Sequence, residues 1–147
     1  MLAVFIILLL AAIFCALMMS KNDWKNRIIP DIYLFPFMLM GLLVVAFFPW
    51  FFDFGESVIA AAIGYGLGIV MGLLFKKKSP DAIGMGDIKL MAAGGVWLGV
   101  SGLAVSLIIS CVLGGLWGML KKQKFIPFAP FFFIGAICSL IIMGIMI

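Results

Sequence analysis

Histidine is missing from all 147 residues. Its absence removes the usual general base, the commonest zinc ligand, and every Ser/His or Cys/His nucleophile at once. Charge is nearly as scarce, at 11% of the chain against 67% hydrophobic residues. With a mean hydropathy of +1.36, the composition excludes a soluble globular domain and points to a bilayer. Cysteine occurs three times, as Cys15, Cys111 and Cys138, always in an apolar segment and never as a CxxC pair. Such residues are expected to be small, buried packing groups, and they offer no zinc site or dithiol. No metal or cofactor is expected, and no basic stripe with interleaved aromatics suggests a nucleic-acid partner. The segment Met1 to Met19 lacks the basic start and small-residue cleavage site of a signal peptide, so it reads as a retained span.

Apolar runs separated by charges give the spans, since about 20 apolar residues cross the hydrocarbon core as a helix. The first is predicted over Leu2 to Met19, the second over Ile32 to Phe52, the third over Val58 to Phe75 and the last over Phe128 to Ile147. All ten basic residues fall in three clusters: Lys21, Lys25 and Arg27; Lys76, Lys77, Lys78 and Lys89; and Lys121, Lys122 and Lys124. The connection around Asp53 to Ser57 has none. The positive-inside rule therefore puts the three basic loops in the cytosol and the acidic one outside. Both ends of the uncharged 31-residue stretch between Lys89 and Lys121 are then cytosolic. It should cross twice, turning near Gly99 to Gly102, with a truncated first half over Ile88 to Leu98. The expected architecture is an all-α, polytopic membrane protein of six transmembrane helices with a short fourth helix. It forms a single domain over 1–147 with both termini outside the cytosol. Small residues at every fourth position, Ala60, Gly64, Gly68 and Gly72, then Gly102, Ser106, Ser110, Gly114 and Gly118, mark helix faces that pack closely.

Ionisable groups at helix ends that face a protein interior are functional candidates, because an unpaired buried charge is costly. Four carboxylates fall on the predicted cytosolic side: Asp23, Asp31, Asp81 and Asp87. Asp31 follows Pro30 and is expected to cap the second helix, and Asp81 reads as an ordinary loop carboxylate. Asp87 closes Gly84-Met85-Gly86-Asp87 at the mouth of the short helix, where the glycines allow close backbone approach. Taken alone, that turn fits an Asp cap equally well. Asp23 lies just past the first span among basic residues, as a solvated ion-pair former would. Topology brings it to the same side as Asp87. Two such carboxyl groups a few ångströms apart share one proton and can activate a water without metal or histidine.

Three stretches resemble the type IV prepilin peptidases, a family of GxGD aspartyl proteases. Asp23 to Asp31, with Ile29 and Pro30 six and seven residues past the aspartate, resembles the family's first-aspartate segment. Gly84 to Leu90, GMGDIKL, matches its second, and Pro127-Phe128-Ala129-Pro130-Phe131 is similar to its Pro-Phe-Gly-Pro entry into the last helix, with Ala129 in place of glycine. The resemblance implies catalytic Asp23 and Asp87, supported by Gly84, Gly86, Ile29 and Pro30. It also implies an endopeptidase that removes the basic leader from prepilin-like or archaeal preflagellin-like precursors at the cytosolic face of the cell membrane, such a precursor having a short basic leader, a glycine before the cut and then a hydrophobic helix. Those precursors and the lipid bilayer are the expected partners. The CxxC-bearing N-terminal region of longer members is missing, so their N-methyltransferase activity is expected to be absent. Lys89 is expected to position the substrate or tune the aspartates.

Two other readings stand beside this one. Gly99-Val100-Ser101-Gly102 matches the serine motif of rhomboid proteases, which need a histidine that this chain lacks. A small transporter or secretion-assembly subunit would place a carboxylate near mid-span, and every carboxylate here falls at a predicted helix end or loop.

Overall fold

A computed structural model describes residues 1–26, 29–48, 53–75, 85–121 and 128–146. Gly84, Asp81, Arg27, Lys76, Lys77, Lys78, Lys122, Lys124 and Pro127 lie outside the described residues. Five helices make up the described chain: α1 Leu2–Asn26, α2 Asp31–Phe47, α3 Phe54–Phe75, α4 Met85–Lys121 and α5 Phe128–Met146. Of these, α1, α3, α4 and α5 are long and apolar enough to cross a membrane, while α2 is shorter at 17 residues.

Local chemistry fixes several boundaries. No glycine or proline interrupts α1, so it runs seven residues beyond the expected end at Met19. Pro30 then disfavours helix at Ile29. It stands at the N-cap of α2 with φ −73° and ψ 130°, and its carbonyl accepts the Tyr33 and Leu34 N–H groups. Asp53 opens α3 through its side chain, as Oδ1 accepts the Glu56 N–H at 3.0 Å.

The expected chain reversal near Gly99 to Gly102 coincides with a backbone break inside α4. Gly99 has φ 72° and ψ −176°, a combination essentially reserved for glycine. Contacts with α5 trace the path on either side. Phe132 covers Gly94, and the Ser139 hydroxyl donates to the Gly102 carbonyl at 3.0 Å. Beyond the break the order reverses, with Gly135 against the Ser106 carbonyl and Phe131 beside Trp117. Five helices stand where six were expected because Gly99 alone leaves helical geometry, so its two halves form one 37-residue element.

The small-residue faces do the packing expected of them. A β-carbon on Gly95 would stand 2.5 Å from the Ala60 carbonyl oxygen, and one on Gly64 would stand 2.6 Å from that of Met91. Helix α3 thus runs antiparallel to the first half of α4 at backbone contact, the close approach that small residues permit in membranes. The Ser57 hydroxyl locks the pair by donating to the Val96 carbonyl at 2.7 Å. Met19, Leu34, Leu90, Leu98 and Phe132 form the buried centre, and large apolar side chains such as Leu10, Leu73 and Ile141 point outward. Lipid solvates such a surface where water would not.

Candidate active site

Asp23 does not sit in a loop, as the sequence suggested. It belongs to the last turns of α1 and is 3% exposed. The buried side of α1 reads Ala12, Cys15, Met19, Asp23, a helical spacing that carries one apolar stripe onto a carboxylate. Burial at that level is costly without polar partners. One is the backbone N–H of Ala129, which donates to Asp23 Oδ2 at 2.8 Å. Ala129 is itself fully buried in the first turn of α5. The amides of a helix's first turn have no partner within the helix, so this donor is available to an acceptor.

Asp87 occupies the first turn of α4 and is half-buried. Gly86 beside it backs onto Ile29, where a β-carbon would stand 3.0 Å from the Ile29 β-carbon. Ile29 is buried and Pro30 half-buried, so this dipeptide wedges the α1–α2 connection against the start of α4. Lys89 adds a second link from α4 to the start of α2. Its Nζ donates to Asp31 Oδ2 and Oδ1 at 3.2 and 3.4 Å and lies 5.7 Å from the centre of the Phe35 ring. The start of α4 thus meets the α1–α2 connection at Ile29 and α2 at Asp31, and the end of α1 meets α5 at Ala129, while among the described residues no Cα of α1 comes within 8 Å of one of α4.

Two expectations are corrected here. Asp31 makes no side-chain cap, because Pro30 holds the cap position and the Asp31 carboxylate turns to Lys89. Cysteine is not uniformly buried: Cys15 is, Cys138 is half-buried, and Cys111 is exposed on the outer side of α4. Ser101 of the rhomboid-like tetrapeptide is exposed and stands two residues past the Gly99 break. Among the described residues, no cluster of three or more acidic or sulfur ligands is placed to hold a metal ion.

The sequence reading missed the Ala129 amide. Its signal was available only indirectly, as a helix start after Pro127 that must leave amides unpaired. It also missed the burial of Asp23, which the three-and-four spacing from Ala12 predicts once α1 is allowed to continue.

Residues 2–119 match the model of the type IV leader peptidase family. A prepilin leader peptidase/N-methyltransferase of Xanthomonas campestris pv. campestris is 32% identical over 121 residues, 77% of this chain and 42% of the relative. Proteins of the same description from Stutzerimonas stutzeri and Burkholderia pseudomallei are also 32% identical, over 78% and 84% of this chain and 42% of each relative. The chain thus spans about two fifths of the length of the curated relatives it matches. No solved structure matches the chain significantly. With the family model covering most of its length and three such relatives aligned across it, the chain belongs to the type IV leader peptidase family.

Proposed function

We propose that this chain is an aspartyl endopeptidase of the cell membrane that cuts the basic leader from type IV prepilin-like, or archaeal preflagellin-like, precursors. Asp23 and Asp87 are its catalytic pair. The observation that carries the reading is the burial of Asp23 at the Ala129 amide, with Gly86, next to Asp87, packed on Ile29 a few residues past α1. A carboxylate buried at the end of an apolar stripe needs a reason beyond stability, since a hydrophobic residue would cost less there. Family membership supports the substrate class, because the relatives' descriptions name prepilin leader peptidases.

In the proposed reaction the two carboxyl groups share one proton. The ionised partner draws a proton from a water lying between them, and that water attacks the scissile carbonyl. The protonated partner donates a hydrogen bond to the developing oxyanion. Ala129 holds one oxygen of Asp23, which limits the rotamers that carboxylate adopts. Gly86 lets the Asp87 turn approach Ile29. Ile29 and Pro30 support that turn, and Lys89 ties it to α2 through Asp31.

The proposed topology has six crossings with both termini outside the cytosol. At about 1.5 Å per residue, the 37 residues of α4 measure roughly 56 Å, nearly twice the ~30 Å hydrocarbon core. The Gly99 break supports two antiparallel crossings in place of one long helix. Trp24 packs against Trp117 with ring centres 5.3 Å apart and planes tilted by 59°, and Phe131 adjoins Trp117. This aromatic cluster at the level of Asp23 suits the membrane–water boundary. A basic leader stays cytosolic by the same charge rule, so cleavage belongs at that face.

The test is cleavage of a co-expressed prepilin by the parent, Asp23→Asn and Asp87→Asn. Asparagine keeps an oxygen for the Ala129 amide, so the fold should persist while proton transfer is lost. Each change is expected to lower the rate by on the order of a hundredfold or more. Parental cleavage by either variant, at equal membrane abundance, refutes the pair.

A further inference from the structure

An apolar groove of about 200 Å³ opens between α1 and α5, and the proposed reaction leaves it unused. Its floor is Phe37, Leu98 and Phe132, all buried, and its rim includes Leu17 and Ile137, both exposed. Ala16 on α1 and Ala136 on α5 face it, so these helices meet across small side chains and leave a furrow where larger ones would interlock. An apolar cavity of roughly 150 Å³ already admits a benzene ring, so the groove has room for apolar side chains. Two polar side chains line it: Trp97, whose Nε1 donates to the Phe37 carbonyl at 2.9 Å, and Ser20, at the end nearest Asp23. The groove thus offers contact to apolar groups.

Its position decides the occupant. Along α1 it extends from Leu9 to Ser20, about 16 Å, or roughly three turns of helix. Ser20 is three residues before Asp23, and on the facing wall Phe132 is three residues after Ala129. Both walls therefore end one turn from the hydrogen bond between Asp23 and the Ala129 amide. A helix lying in the groove has its terminus delivered to the carboxylate. The small residues on both sides let that helix approach closely, as they do between helices in membranes. A lipid chain gains nothing from ending at a buried aspartate.

We infer that this groove is the docking site for the apolar helix that follows the scissile bond of the substrate, seated so that its first turn lies beside Asp23. The inference rests on the proposed peptidase reading and adds where the non-reacting part of the substrate binds. Binding energy from that remote part is then available to place the scissile carbonyl at the aspartates.

Two synthetic peptides test it in proteoliposomes: one with a lysine-rich leader, a glycine and about 20 apolar residues, the other truncated just past the glycine. Ala16→Phe and Ala136→Phe fill the groove, and Leu116→Phe on the outer face of α4 serves as control. The filled variants should lose about tenfold or more in kcat/KM on the long peptide, mainly through KM. They should cleave the truncated one at the parental rate, and the control should match the parent on both. Equal losses on both peptides, or on neither, overturn the inference.

Photocrosslinking tests it independently of catalysis and of the tolerance of the fold to filling. Benzophenone side chains at Leu17 or Ile137 should capture the long peptide in the Asp87→Asn background, while one at Leu73 should not. Capture of lipid alone, or equal capture from Leu73, also overturns it. A parent that cleaves neither peptide refutes the peptidase reading, and the crosslinks then decide the groove by themselves.

Discussion

The two halves of α4 have similar apolar compositions and opposite surroundings. Before the Gly99 break, Ile88, Leu90 through Val96 and Leu98 are all buried. After it, burial falls to Gly102, Leu103, Ser106, Ser110 and Gly114, a single face, with Ile108, Val112 and Leu116 exposed. Hydropathy cannot separate these cases, because lipid and protein interior are equally apolar. Residue size can. The first half carries Ala92, Ala93, Gly94 and Gly95 in succession, so the α3 backbone closes in at Gly95 and the Phe132 ring at Gly94. The second spaces its small residues by four and presents one such face, as a helix with lipid on its other side does.

The sharpest way to break this contrast is to add bulk to each half. Gly95→Leu drives side-chain atoms into the Ala60 backbone, which cannot step aside, whereas Gly115 has nothing within 4 Å of its would-be β-carbon. Gly95→Leu should therefore abolish accumulation of monodisperse protein in detergent, and Gly115→Leu should leave the yield at the parental level. A comparable loss from both would mean that the second half is enclosed as well. Next in size is Gly99→Ala. Its φ of 72° with ψ −176° strains any L-residue, at a cost on the order of 1–3 kcal/mol. A fall of several degrees in the thermal midpoint is expected. An unchanged midpoint would show that the two halves can join without this backbone conformation.

How much of this was visible beforehand follows the same division. The stripe from Ala60 to Gly72 announced a close helix contact, and the GMGDIKL stretch located Asp87 at a helix mouth, because both are patterns local in the chain. The extent of α1 was misread because hydropathy marks where apolar side chains end, whereas a helix ends where its backbone is stopped. Nothing from Ser20 to Asn26 stops it. The Ala129 partner of Asp23 was beyond reach for another reason. The Ala129 amide lies 106 positions away, and a backbone donor leaves no mark on residue identity. Asp31 was misjudged because proximity to Lys89 depends on how Pro30 turns the chain between α1 and α2.

A smaller effect sharpens the contrast at the buried half's outer wall. Ser57→Ala removes the hydroxyl that donates to the Val96 carbonyl at 2.7 Å, an acceptor whose i+4 amide, that of Val100, lies across the Gly99 break. Hydrogen bonds between membrane helices average well under their apparent strength, so a loss of about 0.6 kcal/mol is expected. Ser110→Ala in the second half breaks only a bond to Leu107 within its own helix and should cost less. Chemical denaturation of the two variants in mixed micelles ranks them, and a reversed order would contradict the claim that α3 and the first half of α4 form the tighter pair.

The smallest effect on stability concerns the end where the buried half reaches water. Lys89 and Asp31 keep 32% and 50% of their side chains exposed at 3.2 Å separation. Solvent screens such a pair, and its contribution should stay below about 1 kcal/mol. The coupling energy from Lys89→Ala, Asp31→Ala and the double variant measures this directly. Its influence on cleavage can be larger than its influence on folding, because Lys89 lies two residues from Asp87 and ties that first turn of α4 to α2. If the tie positions Asp87, Lys89→Ala lowers kcat several-fold with little change in KM, and Lys89→Arg restores most of it. Parental cleavage by Lys89→Ala would reduce the residue to a membrane-orienting charge, and the start of α4 would then be held by the packing of Ile29 on Gly86 without help from the ion pair.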